Sequence, residues 1–202
     1  MKFAPVRVTA PAALPVSAGE AKAHLRVPAI NTTDDAYIAS CVAAAVERLD
    51  GYAGLLGRCI VTQEWRQKFE GWPASDFLRL PFADVDPASV VISYLDTLGD
   101  DQVVPATHYE ALHDAQGCLI RLRLAFTSPS LEDDRAAPVS VTFEAGYGAA
   151  VDVPAPIKAA ILLMVGDLYE NREDTVVGNG LDVRPLPRGV DALLAPYRRV
   201  GV

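Results

Sequence analysis

Apolar positions along this chain keep one period for a while, change to another, and then change back. From Ser17 they recur at helical spacing. Ser17 followed by Glu20 has the spacing of a capping box, and Ala21, His24 and Leu25 share a face of the short helix it opens, which Pro28 closes. Thr32, Thr33 and Asp34 are candidate caps for a longer helix carrying Ile38, Cys41, Val42, Ala45, Leu49, Tyr52 and Ala53 at the same spacing. Asp34 and Asp35 suit the positive end of its dipole, its many alanines permit close approach of a neighbour, and Gly54 and Gly57 mark its end.

From Arg58 to about Gly148 the period becomes two. Ile60–Thr62, Glu64–Phe69, Phe77–Leu80, Val90–Tyr94, Leu119–Leu122 and Val139–Phe143 are predicted strands, separated by turn-rich pieces such as Gly71-Trp72-Pro73 and Leu98-Gly99-Asp100-Asp101. Pro81 and Pro87 predict a loop over 81–89, and 128–135 reads as a mobile surface loop. The helical period then returns in Pro154–Glu170, where Ile157, Ala160, Ile161, Met164, Val165 and Leu168 form a stripe widened by Leu162 and Leu163. A helix apolar over most of its circumference has to be packed from several sides, so this one is the expected axis of a bundle. Pro5, Pro11 and Pro15 make residues 1–16 an extended arm, the glycine- and proline-punctuated 174–187 a flexible connection, and Val190–Ala195 a last short helix. The predicted class is α+β: about four helices in a bundle, with a β-rich insertion between the second and the central one. The segments are 1–57, 58–150 and 151–202.

Composition narrows the function. Of 202 residues half are hydrophobic and 22% charged, ordinary for a globular chain, and the formal net charge is −8. That excludes coating nucleic acid through phosphate contacts, though not DNA passing nearby, because an acidic wall repels phosphate. Against this background Val183–Val202 carries Arg184, Arg188, Arg198 and Arg199 with only Asp191 opposed. The proline-broken start predicts no secretion signal, no stretch is long enough for a membrane span, and the cytoplasm is the expected site of synthesis.

Chemistry finds little footing. Cys41, Cys59 and Cys118 make no CxxC pair and are expected to be reduced and structural. His108, His113 and Asp114 share one predicted hairpin, but a metal needs three or four convergent ligands. Gly146-Tyr147-Gly148 and Gly178-Asn179-Gly180 lack the frame of a phosphate loop. The pairs Asp34-Asp35, Asp100-Asp101 and Asp133-Asp134 sit at expected caps and turns, where carboxylates are solvated. Trp65, Phe69 and Trp72 read as sheet core before base-stacking platforms. No catalytic residue, metal or cofactor is expected. The segment Tyr197-Arg198-Arg199-Val200-Gly201-Val202 stands apart, with the aromatic and arginine composition that interface hot spots favour.

Taken in order, several stretches resemble the head–tail connector (adaptor) proteins of tailed phages, also carried by phage-derived gene transfer agents. They are Pro15–Val27, Asp34-Asp35, Ile60–Trp65, Glu144–Gly148, Val153–Leu163, Tyr169–Glu173 and Gly189–Arg198. No single piece is diagnostic; the ordered set, spanning nearly the whole chain, carries the resemblance. It implies a homo-oligomeric ring, twelvefold in the family, below the portal of a DNA-filled head and in the neck of the particle, assembled in the bacterial cytoplasm. Such a ring extends the DNA channel and meets the next neck or tail protein, a stopper or tail terminator, without enzymatic activity, cofactor or membrane. It further implies portal docking by Tyr197, Arg198, Arg199, Val200, Gly201 and Val202. Glu132, Asp133 and Asp134 are weaker candidates for an acidic channel lining. Alternatives are another neck or tail-completion protein, a β-rich module binding a ligand through Trp65 and Trp72, and a hydrolase whose site forms only in space.

Overall fold

Along Gln63–Phe69 buried and exposed side chains alternate without a break, the pattern of a strand with one face in a core and the other toward solvent. It is β2 of eight strands in the computed structural model, which describes residues 3–75, 77–114, 117–172 and 188–199. The chain divides into a sheet unit, built on Met1–Ala12 and Thr62–Tyr147, and a helical unit, built on Ala13–Val61 and Gly148–Arg198. The class is α+β, with a β-rich stretch between the second and third of the four α-helices among the described residues, as expected.

In the sheet unit the other strands are β1 (Val6–Thr9), β3 (Phe77–Arg79), β4 (Val91–Leu95), β5 (Asp101–Val103), β6 (Tyr109–Asp114), β7 (Gly117–Leu122) and β8 (Val139–Ala145). They form a five-stranded sheet in the order β1-β2-β8-β4-β5 and a three-stranded sheet in the order β3-β7-β6. Every pairing is antiparallel. On the central strand Val139, Val141, Phe143 and Ala145 all point inward. Phe82, which follows β3, lies edge-on to Trp65 at 4.9 Å between ring centres and tilts against Phe143 at 6.1 Å. The Tyr109 hydroxyl on β6 donates to the Val90 carbonyl at the head of β4 (2.7 Å), so each sheet contributes to one core. Gly117 opens β7 at φ 128°, and a Cβ there would stand 3.0 Å from the Phe82 carbonyl oxygen, so only glycine fits.

Three strands escape the alternation rule. β1 falls inside the expected arm. It is extended, but it pairs with β2, whose buried Gln67 donates to the Phe3 carbonyl while Arg7 reaches Gln63 Oε1 at 3.4 Å. β5 is exposed at every position and β6 is buried only at Tyr109, so neither shows a period in sequence. Conversely Ile60–Thr62 is no strand. The Ile60 N–H is taken by the Asp50 carboxylate at 2.7 Å instead of by a neighbouring strand.

In the helical unit α1 (Ala18–His24) begins with the expected capping box. The Glu20 N–H donates to Ser17 Oγ (3.2 Å), and the Ser17 N–H donates to Glu20 Oε2 (2.7 Å). Lys22 is unexpectedly buried; its ammonium donates to the carbonyls of Ala29 (3.1 Å) and Asn31 (2.7 Å) and to Asp35 Oδ1 (2.7 Å). α2 (Asp35–Leu49) buries Ile38, Cys41, Val42, Ala45, Val46 and Leu49, but stops short of Gly54 and leaves Tyr52 and Ala53 exposed. The turn comes at Gly51, at φ 78°.

α3 (Ala155–Glu170) packs on α1, on α2 and on α4 (Arg188–Leu194). It buries Ile157, Ala160, Ile161, Met164 and Val165, each large apolar side chain contributing about 1.5–3 kcal/mol. Leu163 and Leu168 remain exposed, so its buried face is narrower than the sequence pattern predicts. Among the described residues no helix is long and apolar enough to cross a membrane.

Candidate functional site

Of the six residues expected to dock on a partner, Tyr197, Arg198 and Arg199 are described; Val200, Gly201 and Val202 lie outside the described residues. Val190 and Leu194 are fully buried and fix α4, after which Ala195–Tyr197 makes one 3-10 turn. The Arg198 N–H donates to the Leu194 carbonyl (3.1 Å), and its guanidinium meets Asp191 Oδ1 at 2.6 Å. Tyr197 and Arg198 are thus an extension of a packed helix, with Tyr197 half-buried and Arg198 exposed. The expected flexible connection at 174–187, with Gly178-Asn179-Gly180, lies outside the described residues.

A clamp that the sequence did not single out stands where that stretch begins. Asp34, at the cap position of α2, makes no capping bond. Its carboxylate instead accepts from Arg172 at 2.9 Å and from the Tyr169 hydroxyl at 2.8 Å. The guanidinium lies 4.4 Å from the ring centre of Tyr37 and 5.2 Å from that of Tyr169, within cation–π range. The Tyr37 hydroxyl donates to the Leu168 carbonyl at 2.8 Å. Arg172 first, then Tyr169, holds the Asp34 carboxyl below the usual range. A depressed folded-state pKa gives stability that is fully present above the unfolded value of about 3.9 and is lost as pH falls below it. Thermal melts from neutral to acid pH are therefore expected to show a shallower acid limb for Asp34→Asn than for the unmodified chain. A limb unchanged in slope would remove the clamp from the pH response. Glu20 and Asp96, whose carboxyls are also held low, contribute to the loss that remains.

The acidic candidates gather with others at one end of the sheet unit. The Glu132 N–H donates to the Leu95 carbonyl (3.2 Å), bringing 131–135 against the β4–β5 turn. In that turn Asp96 Oδ1 accepts from the backbone of Leu98 (2.9 Å) and Asp100 (3.1 Å), and these bonds lower its pKa. Glu132 is half-buried and paired with Arg135 at 3.3 Å, so its charge is partly met. Asp133 and Asp134 are exposed, as are Asp100 and Asp101 on the facing turn. The surface loop expected at 128–135 is tethered at both ends, since the Trp72 indole N–H also donates to the Pro129 carbonyl (2.9 Å).

The other candidates separate. Trp65 is buried in the core, whereas Trp72 joins a half-exposed ring cluster with Tyr94 (5.5 Å) and Phe126 (5.0 Å), so the two do not form one binding face. His108 lies edge-on to Phe126, and Asp114 is engaged by the two terminal nitrogens of the Arg79 guanidinium. Among the described residues no three of His, Cys, Asp and Glu are placed to hold a metal ion. Cys41, Cys59 and Cys118 are buried and form no disulfide. Burial, and then Asp114, push Cys118 up to about 11, which leaves it a poor nucleophile at neutral pH.

No family model matches the chain, and no curated protein does. Solved structures do match. A chain from the neck of an empty gene transfer agent (GTA) particle, computed with C6 symmetry, aligns at a TM-score of 0.77 and 24% identity, covering 99% of this chain and 97% of that one. A chain from the virion of a native GTA particle aligns at 0.74 with the same identity and coverage. A chain from the neck of a native GTA particle, computed with C12 symmetry, aligns at 0.69, again at 24% identity. The fold is shared from end to end.

Proposed function

We propose that this chain is a structural adaptor subunit of a phage-like particle. It forms a ring below the portal, extends the DNA channel and joins head to tail. The carrying observation is the shared fold, which covers both units of this chain and almost all of each neck or virion chain. Cyclic assemblies computed with C6 and C12 symmetry favour a ring, with twelve copies as the proposed number. The stretch Tyr197–Val202 docks on the portal, with Tyr197 and Arg198 presented by the turn after α4. Asp133 and Asp134, beside Asp100 and Asp101, would keep the channel from retaining DNA by like-charge repulsion; Glu132, paired with Arg135, contributes less. The chemistry required is assembly alone, with no catalytic step and no cofactor.

Electron microscopy of particles from cells lacking the gene tests the proposal. Filled heads with portals beside unattached tails are the expected result. Particles with tails normally joined would overturn it. A density tag carried by the chain should appear next to the portal; a tag found only further along the tail would assign a stopper or tail-terminator role instead.

A further inference from the structure

Tyr94, Val103, Pro105, His108, Phe126 and Pro129 line an open groove of about 300 Å³ on the sheet unit. Its rings are braced by one another. Trp72 supports Tyr94 and Phe126 edge-on from behind, with its indole N–H committed to Pro129, and His108 stands 6.1 Å from Phe126. Each of these rings is half-exposed, and Val103 on the open edge strand β5 is 63% exposed. Among the described residues the Tyr94 hydroxyl has no partner, which leaves it available to donate to a peptide carbonyl. Grooves of aromatic and proline side chains with such a donor suit extended proline-containing segments, whose rings stack on aromatic faces and whose preferred conformation costs little ordering entropy.

The groove runs directly into the acidic end. Leu95, next after Tyr94, pairs across the strands with Asp101 and its carbonyl accepts from the Glu132 N–H (3.2 Å), so the acidic end begins beside the groove. A segment that fits is therefore basic as well as proline-containing. The chain itself contains one: Arg184-Pro185-Leu186-Pro187, followed at once by Arg188, so that two arginines stand against Asp182 between Leu181 and Val190.

We propose that the Tyr94–Phe126 groove of one copy receives the Arg184–Pro187 stretch of a second copy of this chain. Prolines would lie on the rings and the flanking arginines against Asp100 and Asp101, which leaves Asp133 and Asp134 uncovered. The contact is heterologous, groove to segment, and so it can repeat around a closed ring. The choice of a second copy as occupant rests on the adaptor reading. The recognition itself does not, and it is tested without particles.

A labelled peptide of residues 182–189 is titrated into the purified full-length chain and followed by fluorescence anisotropy. Saturable binding is expected. It should weaken about tenfold or more in Tyr94→Ala, as loss of one stacking ring and its donor implies. It should weaken similarly in the surface variant Asp100→Lys/Asp101→Lys, both of whose positions are exposed. A peptide with both prolines replaced by alanine should bind more weakly, and added salt should weaken the unmodified peptide. No saturation up to millimolar chain, or equal binding to all three chains, would overturn the proposal.

Occupancy by a second copy is read by mixing isotope-labelled chain with unlabelled chain carrying a spin label at Val183→Cys. Broadening of Tyr94 and His108 signals in the mixture supports it. Broadening seen only when both labels are on the same molecule overturns it. Failure of the adaptor reading would appear in the micrographs and leave the titration unaffected.

Discussion

Removal of Tyr197–Val202 is expected to abolish attachment to purified portal rings, measured by co-sedimentation, while the chain stays folded. The buried anchors of α4, Val190 and Leu194, precede the cut, so its packing on α3 is kept. Among the side-chain ties lost is the Arg198–Asp191 pair, both partners of which are substantially exposed. Such a pair contributes at most about 1 kcal/mol, a melting shift of roughly 2–4 °C for a chain of this size. The cost to docking is much larger, because a tyrosine and two arginines, the residue types that dominate interface energetics, go together. Arg198→Glu provides a gentler test: it reverses one charge without shortening the chain, and it should weaken co-sedimentation strongly. Attachment undiminished in both variants would move the portal contact elsewhere.

Phe143→Ala is expected to cost about 3–5 kcal/mol, the largest stability effect among the single substitutions proposed. Phe143 is fully buried on the central strand of the five-stranded sheet, opposite Trp65 in the register and against Phe82. Truncation leaves a void that three antiparallel strands cannot all close upon, and it removes one ring from a stack of three. Phe77→Ala is the matched control. Phe77 is 42% exposed on an edge strand, so its loss should stay near or below about 1 kcal/mol. Urea unfolding monitored by circular dichroism separates them. Equal midpoints for the two variants would contradict the core described here.

How much was legible in sequence depended on whether an element has a buried face. α2, α3, β2 and β8 each bury one periodic face and were readable from their period, whereas α1 was readable from its capping box, since it buries Ala21 and Lys22 and leaves His24 of the expected face exposed. β1, β5 and β6 bury almost nothing and are defined by backbone pairing, which leaves no mark on the order of side chains. The overextended reading of α2 has a different cause. Tyr52 and Ala53 continue its period, but Asp50 turns its carboxylate to the Ile60 N–H and Gly51 takes a positive φ, and neither act is periodic. Among candidate residues, sequence could mark the arginines and the acids by charge. It could not show that Asp34, read as a cap, is bound by Arg172, or that Trp72, Tyr94, His108 and Phe126 meet. Those groupings join positions 54 residues apart or more from end to end, and in the clamp 138 apart. Convergence at such distances is set by topology.

The clamp at the end of α3 also has a mechanical meaning. A helix pulled from its last turn ordinarily peels one hydrogen bond at a time, at low force. Here tension arriving from residue 173 onward meets Arg172 first, and Arg172 is tied across to Asp34 at the opening of α2 and seated on the rings of Tyr37 in α2 and Tyr169 in α3. The pull is thereby shared between two helices as shear before α3 can begin to unwind. Because the tie is ionic and half open to water, its yield point should drop as salt rises.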